Sequence, residues 1–354
     1  MRAPAVVLAV AALAATGCAR GARPVEWTDP SPHHAGFVRV NGVRLAYLDW
    51  GGHGPGLLLL HGLGDSPHVF DDLAPALTDR FYVVGLARRG HGRSERRSPY
   101  DIGTLVEDIR QFLDTLGWRQ VILVGHSMAG SEMVRFAALY PERVSRLVFL
   151  DAAYDYDGEA FVESVGHYPL GVFSGAADRA SLDAFRKWFR ASAWPGLPWS
   201  PAMEAEVRDV ALPATGGGVD YVTDDTATAQ AMFAGLAGYR KEYEKVRAPS
   251  LAIVAGMYEG ALLAPGAPDS LRRKVDAWLT GYALPFARAS LAHYRAGLRG
   301  GRVLELPESN HYVFLQRRDT VLAALRDFLA ETAPPRPPVV PRPASARAEG
   351  GGRR

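Results

Sequence analysis

Runs of aliphatic residues alternate with stretches of helical spacing along most of the chain. Gly56-Leu57-Leu58-Leu59-Leu60-His61 has no polar face in its leucine run. Phe81–Leu86, Val121–Gly125, Arg146–Leu150, Leu251–Ala255 and Arg302–Leu306 read as further strands, for the most part hydrophobic on both faces. Between and after them, about Pro67–Leu77, Ile102–Leu116, Ala129–Leu139 and Thr320–Leu329 carry apolar residues at helical intervals, the third stopping at Tyr140-Pro141. At the front, Phe37–Val40 and Arg44–Asp49 are β-like and joined by Asn41-Gly42, which predicts a hairpin. Doubly buried strands alternating with amphipathic helices predict an α/β fold: a mostly parallel central sheet with helices on both faces. The alternation breaks over 154–245, where helix-like pieces surround the Trp- and Pro-rich AWPGLPWS (Ala193–Ser200). That stretch is expected to be a cap insertion, with the core at 37–153 and 246–331.

The two ends of the chain change the picture. MRAPAVVLAVAALAATGCAR places one arginine before an apolar run and small residues, the pattern of a secretory signal over 1–18. Cys18 is the single cysteine, which excludes an intrachain disulfide. Ala15-Thr16-Gly17-Cys18 resembles a bacterial lipobox with alanine where leucine is usual. It implies a lipidated Cys18 and an exported, membrane-anchored protein, whereas plain cleavage near Ala15 or Ala19 gives a periplasmic or extracellular one. Residues 19–36 are expected as a linker and the Pro/Arg/Gly-rich 332–354 as a disordered tail. The 354 residues are 48% apolar and 22% charged with a net charge of only +2, so the totals give no reason to expect a nucleic-acid partner.

The candidate chemistry begins at Gly125-His126-Ser127-Met128-Ala129-Gly130. A serine between a buried strand and a helix sits on a tight turn at the carboxyl edge of the sheet, where ligands bind, and small neighbours let that turn close. Ser127 is therefore the candidate nucleophile. A serine hydroxyl needs a base, and His311 is the candidate. It follows the strand Arg302–Leu306 and precedes the last helix. An acyl-transfer oxyanion needs preset backbone donors. Leu63, in His61-Gly62-Leu63-Gly64 at the end of the leucine strand, and Met128, after the serine, are placed to supply them. No Cys/His cluster has metal-ligand spacing, and no glycine loop has a dinucleotide or phosphate pattern.

Four motifs, HGLGDS (61–66), RRGHGRS (88–94), GHSMAG (125–130) and SNHYVF (309–314), together resemble the α/β-hydrolase-fold family from about Phe37 to Ala330, the cap matching poorly. The resemblance implies a Ser-His-acid triad, no metal and no organic cofactor. It also makes RRGHGRS a structural loop, so that His91 is not expected in the chemistry. His167 and His293 read as surface or cap residues.

The triad acid has two candidates. Asp151 ends the strand Arg146–Leu150, and Glu259 follows Leu251–Ala255, the commoner place for the acid in the family. Aspartate is usual there, however, and extra helical sequence separates Glu259 from His311. Asp151 is preferred, with Glu259 as the alternative. The resulting expectation is an exported serine hydrolase acting on a small ester-like acyl substrate through an acyl-enzyme. An acyltransferase or cofactor-free peroxidase of the same fold is the alternative, and a catalytically inactive binding protein is the alternative of another class. Serine at the nucleophile position argues against epoxide hydrolase chemistry, in which the family places aspartate.

Overall fold

The computed structural model describes residues 27–170, 174–224, 226–263, 266–298 and 300–331. The signal sequence, Cys18 and the 332–354 tail lie outside them. The strands and helices of the described residues all belong to one unit, Ser31–Arg354.

Strand β1 (His34–Val40) turns through Asn41 (φ 45°) and Gly42 (φ 72°) into β2 (Val43–Gly52). Both turn residues have the positive φ that Asn-Gly accommodates. Strand β1 begins inside the segment expected as linker, because His34 already pairs with Asp49. Strands β3 (Gly56–Leu60), β4 (Tyr82–Leu86), β5 (Val121–His126) and β6 (Val144–Leu150) follow, with helices α1 (Ile102–Thr115) and α2 (Ala129–Leu139) flanking β5 in the chain. Asp101 caps α1 by accepting from the Thr104 amide at 3.0 Å.

After β6 come α3 (Glu159–Gly166), α4 (Leu182–Ala193), α5 (Pro201–Val210), a two-residue ladder of β7 (Leu212–Pro213) with β8 (Val219–Asp220), and α6 (Thr226–Ala237). Strand β9 (Ser250–Gly256) returns to the sheet. Helices α7 (Glu259–Leu262), α8 (Asp269–Trp278), a π-helical turn (Leu279–Ala283) and α9 (Leu284–Gly297) then form a second helical insertion before β10 (Arg302–Pro307), α10 (Val313–Gln316) and α11 (Arg318–Ala330). Helix α8 meets the cap, where Trp278 Nε1 donates to Ser164 O at 2.7 Å.

The sheet order is β1-β2-β4-β3-β5-β6-β9-β10, antiparallel at β1/β2 and β2/β4 and parallel elsewhere. All five residues of β3 are buried, and each of its leucines stabilises the fold by about 1.5–3 kcal/mol, an upper figure. One core, built with α11 and with α4 and α5 of the cap, covers one face, and another, built with α1, α2 and α9, covers the opposite face. The stretch Pro67–Leu77 departs from its helical spacing: it forms two 3₁₀ turns, Pro67–Phe70 and Ala74–Leu77, with a proline near the start of each. A proline lacks the amide that a continuous helix through this stretch would use.

Candidate active site

Ser127 is the single residue between β5 and the α2 N-cap Met128, and its φ is 56°. A non-glycine residue in this region is strained by about 1–2 kcal/mol, so the neighbours must hold it. The Ser127 amide donates to Leu150 O at 3.3 Å and Ser127 O accepts from the Gly130 amide at 3.1 Å. The turn closes because side chains are missing where the backbone crowds. A Cβ at Gly125 would lie 2.4 Å from Met133 Sδ, and one at Gly130 would lie 1.9 Å from Ala152 O.

His311 stands on a loop tied by its own polar residues. Ser309 Oγ donates to Leu306 O at 2.7 Å, the Asn310 amide to Gln316 Oε1 at 2.6 Å, and the Tyr312 amide to Asn310 Oδ1 at 2.9 Å. His126 Nε2 donates to the His311 carbonyl at 3.1 Å, linking this loop to β5. The His311 side chain is 37% exposed, so one edge of the ring stays open to an incoming group.

The other edge meets Asp151. His311 Nδ1 is 2.6 Å from Asp151 Oδ2, and with a carboxylate opposite, Nδ1 is the donor. Asp151 is fully buried and, like Ser127, has a positive φ (48°). Its Oδ1 accepts from Tyr154 Oη at 2.7 Å and from the Ala255 amide at 2.8 Å. Burial and the neighbouring Asp151 push the Tyr154 phenol well above its usual range, so it remains a donor to the carboxylate. Glu259, the alternative acid, opens α7 and forms an ion pair with Arg272 instead.

Leu63 follows β3 and Met128 follows β5, two neighbouring strands of the sheet. Neither amide donates to a protein acceptor among the described residues. The loop carrying Leu63 is held from two sides. Tyr312 Oη donates to Asp65 Oδ1 at 2.9 Å, and Glu206, on cap helix α5, accepts from the Ser66 amide at 2.7 Å and from Ser66 Oγ at 2.6 Å. Burial and the charge of Asp65 raise the Glu206 carboxyl far above the usual carboxylate range, which favours its protonated form.

Several other histidines have settled partners. His91 is buried against His61, with ring centroids 5.1 Å apart, and burial beside Arg88 lowers it to about 3. It is a neutral packing residue. His167 stacks on Tyr282, and His293 Nδ1 lies 2.9 Å from Asp155 Oδ2. Spacing along the chain does not reveal that His33, His68 and Asp71 converge. There, Asp71 accepts from His68 Nδ1 at 2.8 Å and from Trp50 Nε1 at 3.0 Å, while His33 Nε2 lies 3.6 Å from its Oδ1. Nor does spacing along the chain single out Tyr154, Tyr156, Ala255 and Glu206. The signal for the tyrosines was Ala152-Ala153-Tyr154-Asp155-Tyr156, immediately after one candidate acid.

Residues 55–203 match the family model described as alpha/beta hydrolase fold. An uncharacterised protein of Mycobacterium tuberculosis is 34% identical over 164 residues, 46% of this chain and 47% of that protein, so the chain spans about half the length of such curated relatives. Epoxide hydrolase 4 of Mus musculus is 29% identical over 161 residues, 44% of each chain. Among solved structures, E-2-(acetamidomethylene)succinate hydrolase superposes with a TM-score of 0.64 at 23% identity, covering 84% of this chain and 99% of that one. That likeness is one of fold.

Proposed function

We propose that this α/β-hydrolase-fold chain is a serine hydrolase acting on an ester-like acyl substrate. The observation that carries the reading is the 2.6 Å contact of His311 Nδ1 with a carboxylate that two further donors hold in place. Donating Nδ1–H to Asp151 leaves Nε2 with its lone pair, the tautomer a general base requires. In the proposed cycle, Ser127 Oγ attacks the carbonyl carbon while His311 Nε2 takes the hydroxyl proton. The tetrahedral oxygen accepts hydrogen bonds from the Leu63 and Met128 amides. His311 passes its proton to the leaving alcohol oxygen as the C–O bond breaks. Water, deprotonated by the same nitrogen, then releases the acid and restores Ser127. The relative named as an epoxide hydrolase broadens the substrates to be considered, but serine at the elbow favours acyl chemistry.

The reading is tested with a p-nitrophenyl ester chain-length series and a fluorophosphonate probe. Wild type should turn over at least one ester and take up the label, and Ser127→Ala should lose both. Turnover that survives Ser127→Ala would overturn the mechanism. No turnover and no labelling of wild type would favour a binding protein on this fold. Export and anchoring through a lipidated Cys18 form part of the same proposal and rest on the sequence of residues 1–18.

A further inference from the structure

Tyr156 lies five residues beyond Asp151, on the segment leading into the cap, and is buried. Its ring packs edge-on against Phe161, with centroids 5.0 Å apart, and the Lys241 ammonium stands 4.7 Å from its centroid on another side. These contacts fix the ring. They do nothing for the hydroxyl, which is enclosed and has no hydrogen-bond partner of good geometry among the described residues.

Three other buried tyrosines are treated differently, though Tyr239 Oη is unpaired as well. Tyr154 Oη is tied to Asp151 Oδ1 at 2.7 Å, Tyr312 Oη to Asp65 Oδ1 at 2.9 Å, and Tyr294 Oη meets Ser250 Oγ at 2.9 Å. Folded chains rarely leave a buried hydroxyl unpaired, and where they do, a catalytic role is among the reasons, beside strain and a bound water or ion. From the site, the Ser127 side chain reaches the Tyr156 hydroxyl and favours the phenolate, while burial above all, and the charge of Asp151, push the phenol up. The hydroxyl is therefore beside the nucleophile, neutral across the physiological range, and able to donate one hydrogen bond.

We propose that Tyr156 is a catalytic hydrogen-bond donor whose hydroxyl binds the substrate oxygen that becomes negatively charged when the carbonyl adds to Ser127. This deepens the serine-hydrolase reading and rests on it. The proton stays on the phenol throughout, so no bond to Tyr156 forms or breaks and the hydrolytic cycle keeps its balance. A donor set in a water-poor pocket is worth most where charge develops, so its effect belongs in turnover rather than in ground-state binding.

The test is Tyr156→Phe, which keeps the ring against Phe161 and Lys241 and removes the oxygen alone. Its kcat on the best p-nitrophenyl ester should fall by about 10- to 100-fold with KM within about twofold, below the range for a lost backbone oxyanion donor. Inhibition by an arylboronic acid, whose adduct with Ser127 carries the oxygen in question, should weaken in parallel. The variant should melt at the wild-type temperature or above it, because an unpaired buried hydroxyl has been removed. A kcat within twofold of wild type would overturn the proposal. So would a lowered melting temperature whose loss of rate disappears on cooling, which is the mark of a packing role. Wild-type labelling and the inactivity of Ser127→Ala report separately on the serine reading, so the two can fail independently.

Discussion

Asp151→Asn puts the acid assignment to a quantitative test. Three donors converge on this buried carboxylate, and they differ in freedom. The Ala255 amide is fixed backbone and demands an acceptor at Oδ1, whereas the Tyr154 hydroxyl at the same oxygen can rotate. In Asp151→Asn the amide oxygen must therefore keep the Oδ1 place, which turns the new NH2 group toward His311. Facing a donor, His311 Nδ1 becomes the acceptor and the ring proton moves to Nε2, where it blocks proton abstraction from Ser127. The wrong tautomer costs about 10⁴ in kcat in the well-studied triads, and each factor of ten is about 1.4 kcal/mol of barrier. A fall of about 10³–10⁴ is expected here, or about 4–5.5 kcal/mol, with fluorophosphonate labelling slowed to match. The parallel change Glu259→Gln removes a half-exposed ion pair with Arg272 and should alter kcat by less than twofold. Steady-state kinetics on one ester with all three proteins decides the matter. If Asp151→Asn keeps more than a tenth of wild-type kcat, or Glu259→Gln falls by orders of magnitude, the tautomer argument is wrong.

Two further outcomes concern stability. The Glu206 carboxyl is raised far above its usual 4.5, so the folded chain holds a proton that the unfolded chain releases, and wild-type stability falls as pH rises above about 4.5. Glu206→Gln can accept from the Ser66 amide and bond Ser66 Oγ without that penalty. It should melt higher than wild type at pH 8 and equally near pH 4, and a variant less stable at pH 8 would contradict the shift. Gly130→Ala places a methyl group 1.9 Å from Ala152 O and should cost about 1–3 kcal/mol in urea unfolding, while kcat falls because the adjacent Asp151 loop is displaced. Unchanged stability would show that the elbow relaxes freely.

The parts of the fold legible in the sequence were those in which one physical demand fixes one residue type. A strand between two helical layers must be apolar throughout, as Leu57–Leu60 are, and the β1–β2 turn needs positive φ at Asn41 and Gly42. The elbow was legible for a similar reason: its small residues stand where the turn is crowded, Gly130 against the Ala152 carbonyl and Gly125 against Met133 and Ala129. Other features hide because the signal reports something else. Apolar spacing over Pro67–Leu77 recorded burial, and the prolines decided the backbone. The extra helical sequence between Glu259 and His311 gives no bounds for α8, because only Val275 and Trp278 of its ten residues are buried and the rest reads as a charged surface. Glu206 carries no local pattern, and Tyr156 only its place shortly after Asp151, since what sets them apart is a partner gained, or left wanting, across the fold.

The sheet explains why Asp151 and Glu259 are equivalent in the sequence. Strands β6 and β9 are parallel neighbours, with Leu150 beside Ile253, so their carboxyl ends open into the same space and either can present an acid to the loop after β10. Counting residues cannot separate them. The separation comes from the backbone: Asp151 takes a positive φ at the end of β6, its amide donates to Ile253 O at 2.7 Å, and its carboxylate reaches over the end of β9 to accept the Ala255 amide. Strand β9 thus contributes a donor that orients the carboxylate, and Tyr154 supplies another from the same turn as Asp151 itself. That edge of the sheet holds the Asp151 carboxylate, whereas Glu259 lies beyond β9 and pairs with Arg272. Moving the carboxylate to position 259 would therefore require more than Asp151→Ala combined with a shorter side chain at 259. It would require a replacement for the two donors that now hold the carboxylate against His311.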